Sequence, residues 1–215
     1  MTTNLRRTGL LSAVAASLLV LTACATGPGS GGAPSVPGSD DVGTPDGVIA
    51  APGQVIGQGT VIQTGDTPPQ FCLGPVMESY PPQCSGPEIV GWDWDAVEGD
   101  ETANDVTFGA YAIWGTWDGT VFTATESVML ALYDPMPIVD PLLDPENAGD
   151  TPEAELTRIQ DELNESSPFP ILTSGQMNGY VFVDVIYDDG SIQAWVDSRY
   201  LPDTVAIRGA LRDQA

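Results

Sequence analysis

The run 106–117 (VTFGAYAIWGTW) limits the fold most, because its residues alternate between two faces that both carry apolar side chains. A period of two over this length predicts a β-strand that is covered on both sides. Asp118-Gly119 follows at once and is a strong signal for a two-residue hairpin turn. The apolar run 120–133 then returns. The sequence therefore predicts a long antiparallel hairpin.

Two earlier segments extend this hairpin into a larger sheet. The runs 55–64 (VIGQGTVIQT) and 88–94 (EIVGWDW) are rich in β-branched residues and are broken by glycine. Glycine kinks and two apolar faces favour a curled antiparallel sheet or a small barrel over a flat sheet. An OB-like barrel is one candidate.

The second half of the chain opens with a helix signal. Thr151 is a suitable N-cap and Pro152 suits the first helical position. Leu156, Ile159 and Leu163 then form an apolar stripe at helical spacing. The Asp-Pro pairs of the segment 134–150 predict an extended loop ahead of this helix.

Further strand signals follow the helix. The runs 180–187 and 191–197 are apolar, are joined by Asp189-Gly190, and precede a last short strand at 204–208. The predicted class is α+β, mainly β, with a curled antiparallel sheet or small barrel followed by one helix and a β-meander.

The N-terminal residues 1–23 are typical of a secretory signal. Arg6 and Arg7 precede an apolar run, 9–21, that is shorter than the roughly 20 residues of a spanning helix. The next four residues, LTAC, resemble the lipobox of bacterial lipoprotein precursors. The resemblance implies that the chain is cut before Cys24, which becomes the new N-terminus and is linked to diacylglycerol. The lipid then holds the protein on the outer face of the cytoplasmic membrane.

Composition divides the rest of the chain into a tether and a domain. Residues 24–52 are dominated by Gly, Pro, Ser, Ala and Thr, and a flexible chain of this length reaches about 30 Å. Residues 53–215 form the folded extracytoplasmic domain, with possible halves at 53–134 and 150–215.

The residue types that are missing restrict the chemistry. The chain has 30 acidic and 6 basic residues, all of the latter Arg, and no His. This charge argues against nucleic acid as a partner, because phosphate binding needs a basic footprint. Without His or Lys, this chain alone can supply neither Ser–His–Asp or zinc–His chemistry nor a Schiff base. No cofactor is indicated.

Cys72 and Cys84 are the only cysteines after Cys24. Because an exported chain meets an oxidising compartment, we expect them to form a disulfide. Closing a loop of about 13 residues stabilises the fold by about 3 kcal/mol on the chain-entropy model.

The loop between these cysteines holds a local resemblance. Glu78 to Cys84 (ESYPPQC) resembles the reactive loop of Bowman–Birk serine protease inhibitors. The resemblance implies that Glu78 enters the protease specificity pocket, that Ser79 follows the target bond, and that Pro81 is a cis-proline. The chain departs from the family in having Met77 where the family has Thr, in the position of the first cysteine, and in lacking other paired cysteines. A purely structural Pro-rich loop explains the same residues.

Trp92, Trp94 and Trp117 stand beside acidic residues and form a candidate ligand platform. Stacking faces next to carboxylate acceptors suit a sugar, although a Trp-rich β core explains the same pattern. The acids crowded into 93–105 lack the spacing of a calcium loop, so no metal site is predicted.

A longer block also resembles the actinobacterial exported lipoproteins of unknown function. It comprises Cys72-Leu73-Gly74, Glu78 to Cys84, Gly86-Pro87 and Gly91 to Trp94. This resemblance implies no activity.

The sequence as a whole favours a non-catalytic domain that binds an envelope protein or glycan. One alternative is a glycan-acting enzyme that uses carboxylates. A second alternative is a serine protease inhibitor.

Overall fold

The computed structural model describes residues 42–45, 47–134 and 140–214. Within these residues the chain forms ten β-strands and two α-helices. In chain order they are β1 (Gln54–Thr64), β2 (Gln70–Cys72), β3 (Glu88–Val90), β4 (Glu101–Ala103), β5 (Val106–Trp117), β6 (Val121–Met129), α1 (Glu153–Ser166), β7 (Thr173–Met177), β8 (Tyr180–Val185), α2 (Ser191–Arg199), β9 (Val205–Gly209) and β10 (Leu211–Asp213).

Five strands close into a ring around the first core. One edge of β1 pairs with β5 along its whole length, from Gln54↔Thr116 to Thr64↔Val106. Its other edge pairs with β2, and the ring continues through β3 and β6 back to β5. The prediction of a mainly β, α+β chain with a curled antiparallel sheet is confirmed. Five is also the strand number of an OB-type barrel.

The barrel interior is filled by the alternation of β5. Tyr111, Ile113 and Trp117 are 1%, 0% and 2% exposed, and burial of each such side chain contributes roughly 1.5–3 kcal/mol. Gly59 lets β1 curl closely over β2, because a Cβ there would collide with the carbonyl oxygen of Cys72. The barrel core therefore depends on the large side chains of β5 and on the lack of a side chain at Gly59 of β1.

The second core lies between the two helices and a three-stranded sheet of order β7-β8-β9. Leu156, Ile159 and Leu163 of α1 are 5%, 2% and 1% exposed, so the predicted apolar stripe is confirmed. They pack with Val181 and Val183 of β8.

The prediction of a single helix followed by a meander is wrong. The run 191–197 is the start of α2, and β8 pairs with β9 in parallel, which requires a crossover such as this helix. Asp188 explains the difference, because its Oδ1 accepts from the backbone N of Gly190 at 3.0 Å and of Ile192 at 2.9 Å. These bonds satisfy amides at the helix start. Ile192 and Val196, four residues apart, then face the core.

The start of α1 also differs from the prediction. Pro152, not Thr151, occupies the N-cap position, and no side chain caps the helix there. The Thr151 Oγ1 atom instead lies 3.5 Å from Thr204 Oγ1.

The folded part begins before the predicted boundary at residue 53. The backbone N of Ala51 donates to the carbonyl of Trp117 at 2.9 Å, and Trp117 Nε1 donates to the carbonyl of Ile49 at 2.8 Å. Ile49 packs against both cores. The predicted signal 1–23 and Cys24 lie outside the described residues. Among those that are described, no helix is long and apolar enough to cross a membrane.

The two predicted halves meet through the last strand. β10 pairs with β1 from Val55↔Asp213 to Gly57↔Leu211, so the C-terminal part of the chain returns to the barrel. Leu211 and Tyr187 belong to the barrel core although they follow the second core in sequence.

Candidate functional site

The disulfide predicted between Cys72 and Cys84 is present, with an Sγ–Sγ distance of 2.08 Å and a Cα–Cα distance of 6.0 Å. Cys72 closes β2 and is 1% exposed, so this end of the bridge is set in the barrel core. Both ends of the intervening segment, residues 73–83, are therefore fixed to the barrel. We name this segment the docking loop.

Hydrogen bonds across the docking loop hold its middle. The backbone N of Met77 donates to the carbonyl of Gln83 at 2.9 Å. Ser79 Oγ donates to the carbonyl of Pro81 at 2.9 Å, and Gln83 Nε2 donates to Ser79 Oγ at 3.3 Å. The Tyr80–Pro81 peptide bond is cis, at the position that the Bowman–Birk resemblance implies. Glu78 and Ser79 lie exposed at the tip.

Three apolar side chains of the docking loop face solvent. Val76, Met77 and Tyr80 are 39%, 64% and 70% exposed. The ring of Tyr80 meets the edge of the Phe108 ring with a centroid distance of 6.0 Å, and its hydroxyl lies 3.4 Å from Glu101 Oε2. Tyr80 is thus held against the barrel wall while most of its surface stays open.

Sequence reasoning named Glu78, Ser79 and Pro81 in this loop but missed its apolar residues, Met77 and Tyr80. A signal for them was present, since apolar side chains next to a Pro-Pro pair and between bonded cysteines cannot join a regular strand ladder. Such residues have few ways of being buried by their own chain.

The candidate platform of three tryptophans is not formed. Trp117 lies inside the barrel and is 2% exposed. Trp92 and Trp94 were expected on one face of a strand, but β3 ends at Val90 and Gly91 turns the chain with a φ of 75°. Their rings meet edge to face at 5.4 Å and pack partly buried against the barrel core.

A polar contact explains the position of Trp94, whose Nε1 donates to Gln63 Oε1 at 2.6 Å. Trp92 packs on Tyr111 with ring centroids 4.8 Å apart. Trp92 Nε1 and the Tyr111 hydroxyl are buried without a hydrogen-bond partner among the described residues. Burial, aided by the nearby charge of Asp100, raises the pKa of Tyr111 to about 12, so its hydroxyl stays protonated.

The acidic residues do not assemble a metal site: within the described ranges no three or more His, Cys, Asp or Glu residues are placed to hold an ion. Hydrogen bonds lower the pKa of the carboxyls of Asp118, Glu155, Glu162 and Asp189. A glycosidase of the two-carboxylate type needs a general acid whose pKa is raised. None of these four carboxyls meets that need.

Comparison with protein-family models, with curated proteins and with solved structures finds no match for this chain. The docking loop must therefore be interpreted from its own chemistry.

Proposed function

We propose that this chain is an extracytoplasmic lipoprotein, anchored to the cytoplasmic membrane through Cys24, whose folded part is a non-catalytic domain that binds a protein partner. The observation that carries the binding part is the exposure of Val76, Met77 and Tyr80 on one loop. A bridge, a cross-loop backbone bond and a side-chain bond from Ser79 fix that loop before any partner arrives. Such pre-organisation lowers the entropy lost on binding.

The chemistry of the docking loop favours a protein over a glycan. Clustered exposed apolar side chains mark protein contacts, and Tyr and Met are enriched in them. A sugar platform needs several open aromatic faces side by side, whereas among the three tryptophans of the candidate platform Trp117 is buried and Trp92 and Trp94 are partly covered. The envelope-glycan alternative has less support for this reason.

The negative charge around the docking loop restricts the kind of protein that can bind it. No Arg, Lys or His occurs between residues 47 and 134, and two exposed glutamates lie next to the apolar side chains: Glu78 in the loop and Glu101 beside Tyr80. A negative rim around an apolar contact is matched by a positive rim around an apolar recess. The partner is therefore a protein that offers a hydrophobic depression bordered by Lys or Arg.

A matched pair of methionines tests the proposal. Met77 in the docking loop and Met177 in β7 are 64% and 60% exposed. A photo-cross-linking amino acid is placed at either position in the full chain, and intact cells are irradiated. We expect one protein to be captured reproducibly from position 77 and not from 177. The same products from both positions, or glycan alone from 77, would contradict the proposal.

The anchor has a separate test. Mass spectrometry of the membrane fraction should find Cys24 with its acyl chains. Cys24→Ala should move the chain into the soluble fraction, because a chain of this acidity has no basic patch to hold it at anionic lipid. Equal membrane retention of the variant would remove the anchor from the proposal.

One specific observation supports a second candidate function, inhibition of a serine protease. Glu78 is exposed at the tip of a loop whose flanks, Met77 and Gln83, are joined by a backbone hydrogen bond. A substrate-like inhibitor needs such a fixed and accessible tip. The wild-type chain should then inhibit a Glu-specific serine protease. Glu78→Ala should abolish this inhibition, and Glu78→Lys should transfer it to a Lys-specific enzyme. Absence of inhibition by the wild type ends this candidate.

A further inference from the structure

A recess lies between α1 and the connection from α2 to β9, in a different part of the chain from the docking loop. It consists of two adjoining cavities of about 300 and 420 Å³. Thr151, Glu155, Leu201 and Thr204 line both of them. Volumes in this range are typical of small-molecule sites. We name it the zwitterion recess, for the charges described next.

One end of the zwitterion recess is lined by two arginines. Arg158 bonds Glu155 at 2.7 Å and Glu162 at 2.9 Å, and Arg199 bonds the other oxygen of Glu162 at 2.9 Å. Both arginine side chains are about half exposed, at 54% and 52%. A guanidinium has five N–H donors. These contacts use only part of them, so donors remain for a ligand.

The other end is lined by carboxylates without a partner of opposite charge. Asp150 and Asp203 border the larger cavity, and no ion pair in the described ranges includes either of them. Asp203 has a φ of 60°, a conformation that Asp and Asn tolerate best among residues with a Cβ. One end of the zwitterion recess thus offers guanidinium N–H donors whose charge Glu155 and Glu162 balance, and the other end offers carboxylates without an ion-pair partner.

Two buried hydroxyls in the wall of the zwitterion recess make no hydrogen bond of good geometry. Thr204 is 2% exposed, and its hydroxyl has only the Thr151 hydroxyl near it, at 3.5 Å. The Tyr200 hydroxyl is buried beside Arg199 and Glu162, but no hydrogen bond of good geometry forms with either among the described residues. Burial raises the pKa of Tyr200, so it stays a donor. Because buried polar groups are normally hydrogen-bonded, both hydroxyls suit a ligand that brings acceptors.

The walls add an apolar contact. Ile159 is 2% exposed at the inner wall, and Leu201 is 73% exposed at the rim. An exposed Leu beside a polar recess can cover the side chain of a bound molecule. The charges also argue against a simple anion, since Glu155 and Glu162 already balance the two arginines.

We propose that the zwitterion recess binds a small zwitterion, an amino acid or a dipeptide. The carboxylate lies at Arg158 and Arg199, the ammonium group at Asp150 and Asp203, and an apolar side chain packs against Leu201. This site is independent of the docking loop.

Calorimetric titration of the full chain tests the proposal with four probes. L-Leucine and alanylalanine are the zwitterions. 4-Methylpentanoate lacks the ammonium group of leucine, and 3-methylbutylamine lacks its carboxylate. We expect one zwitterion to bind at least about tenfold more tightly than either single-charge analogue. The tighter of the two zwitterions tells whether the ligand is an amino acid or a dipeptide. Equal binding of all four probes, or no binding of either zwitterion, overturns the proposal.

Variants locate the site. Arg199→Gln and Asp203→Asn should each weaken binding of the zwitterion by at least about tenfold. Asn keeps the positive φ at position 203. Arg212→Gln, at an arginine that does not line the zwitterion recess, is the control and should leave the affinity unchanged. Unchanged affinity in both site variants overturns the proposal, and the probe series on the wild type tests it without any variant.

Discussion

Two regions of this molecule differ in the groups that hold their carboxylates: backbone amides do so in both regions, but guanidinium groups do so only in the helical region. Residues 47–134, which supply most of the barrel, contain no basic residue, whereas residues 140–214 contain all four arginines of the described chain. In the barrel, Asp118 accepts from the backbone N atoms of Thr120 at 2.8 Å and Val121 at 2.7 Å. In the helical region, Glu162 accepts from two guanidinium groups.

The difference has consequences for both proposals. Backbone amides orient a carboxylate without cancelling its charge, so the barrel and its docking loop keep a negative field. In the helical region the arginines balance their neighbouring glutamates but keep N–H donors, so one recess holds guanidinium donors at one end and unpaired carboxylates at the other. The two proposals rest on this difference: the barrel surface would suit a basic partner, and the recess a dipolar ligand.

The largest expected effects test whether the two regions unfold together. Ile113→Ala in the barrel and Leu163→Ala in α1 should each lower the free energy of unfolding by about 3 kcal/mol, since the residues are 0% and 1% exposed. Because β10 joins the helical region to β1, each variant should shift one common transition. Urea unfolding followed by Trp fluorescence and by far-UV circular dichroism checks this. Two separated transitions in either variant would show that the regions are independent.

Loss of the disulfide is expected to change the docking loop and the stability of the whole fold, but not the zwitterion recess. Replacing both Cys72 and Cys84 by Ala should lower the free energy of unfolding by about 3 kcal/mol on the chain-entropy model. It should also weaken partner binding, because the docking loop loses one of its fixed ends. Zwitterion binding should stay unchanged and serves as the control. A variant with wild-type stability would mean that the loop is held by its hydrogen bonds alone.

The success of sequence reasoning also differs between the regions. The period of two in 106–117 predicted β5, because alternation over a long strand has no other regular explanation. The prediction of a strand at 191–197 is wrong, because a short apolar run fits a helix and a strand equally well. The helix is started by Asp188 and by the positive φ of Gly190.

The sites were predictable only where the signal was local. Paired cysteines indicated the boundaries of the docking loop, but the exposure of Met77 and Tyr80 depends on how the loop lies on the barrel. The zwitterion recess brings Thr151 beside Thr204, which are more than 50 positions apart. No spacing rule in the sequence relates such residues.

Removing the hydroxyl from each of two buried tyrosines should change the free energy of unfolding by smaller amounts and in opposite directions. Tyr111→Phe should raise the free energy of unfolding by about 1 kcal/mol, because it removes a buried hydroxyl that has no partner. Tyr187→Phe should lower it by about 1 kcal/mol, since that hydroxyl donates to Asp213 Oδ1 at 3.0 Å. Denaturant unfolding measures both. A loss of stability in Tyr111→Phe would indicate that the hydroxyl has an acceptor in solution, such as a buried water.

The smallest expected effects on stability distinguish a carboxylate held by backbone amides from one held by arginines. Hydrogen bonds from Val121 and Thr120 lower the pKa of Asp118 in the folded state. Its contribution to stability is therefore present above the unfolded pKa, near 4, and is lost as the pH falls through the lower folded value. Asp118→Ala should be less stable than the wild type at pH 6, with the difference shrinking below about pH 4. A difference that does not change with pH would contradict the assigned cause.

The salt dependence of stability also distinguishes these two kinds of carboxylate contact. Hydrogen bonds with Arg199 and Arg158 lower the pKa of Glu162, and those ion pairs are exposed to solvent. The loss of stability in Glu162→Gln should decline in about 1 M NaCl, where the Debye length is about 3 Å. The loss in Asp118→Ala should decline less, because its partners are backbone amides. Equal salt dependence would contradict the distinction between carboxylates held by backbone amides and carboxylates held by arginines.

The pairing of β1 has a mechanical consequence. In the proposed lipoprotein, the segment between Cys24 and the barrel leads into this strand, which pairs with β5 over eleven residues while β2 and β10 pair with its opposite edge. A partner that pulled on the docking loop would load β2, which ends at Cys72, and the β2–β1 ladder would pass that load to β1. A load along paired strands is shared among the ladder hydrogen bonds instead of opening them one after another. We therefore expect the barrel to resist tension between the proposed anchor and a partner of the docking loop.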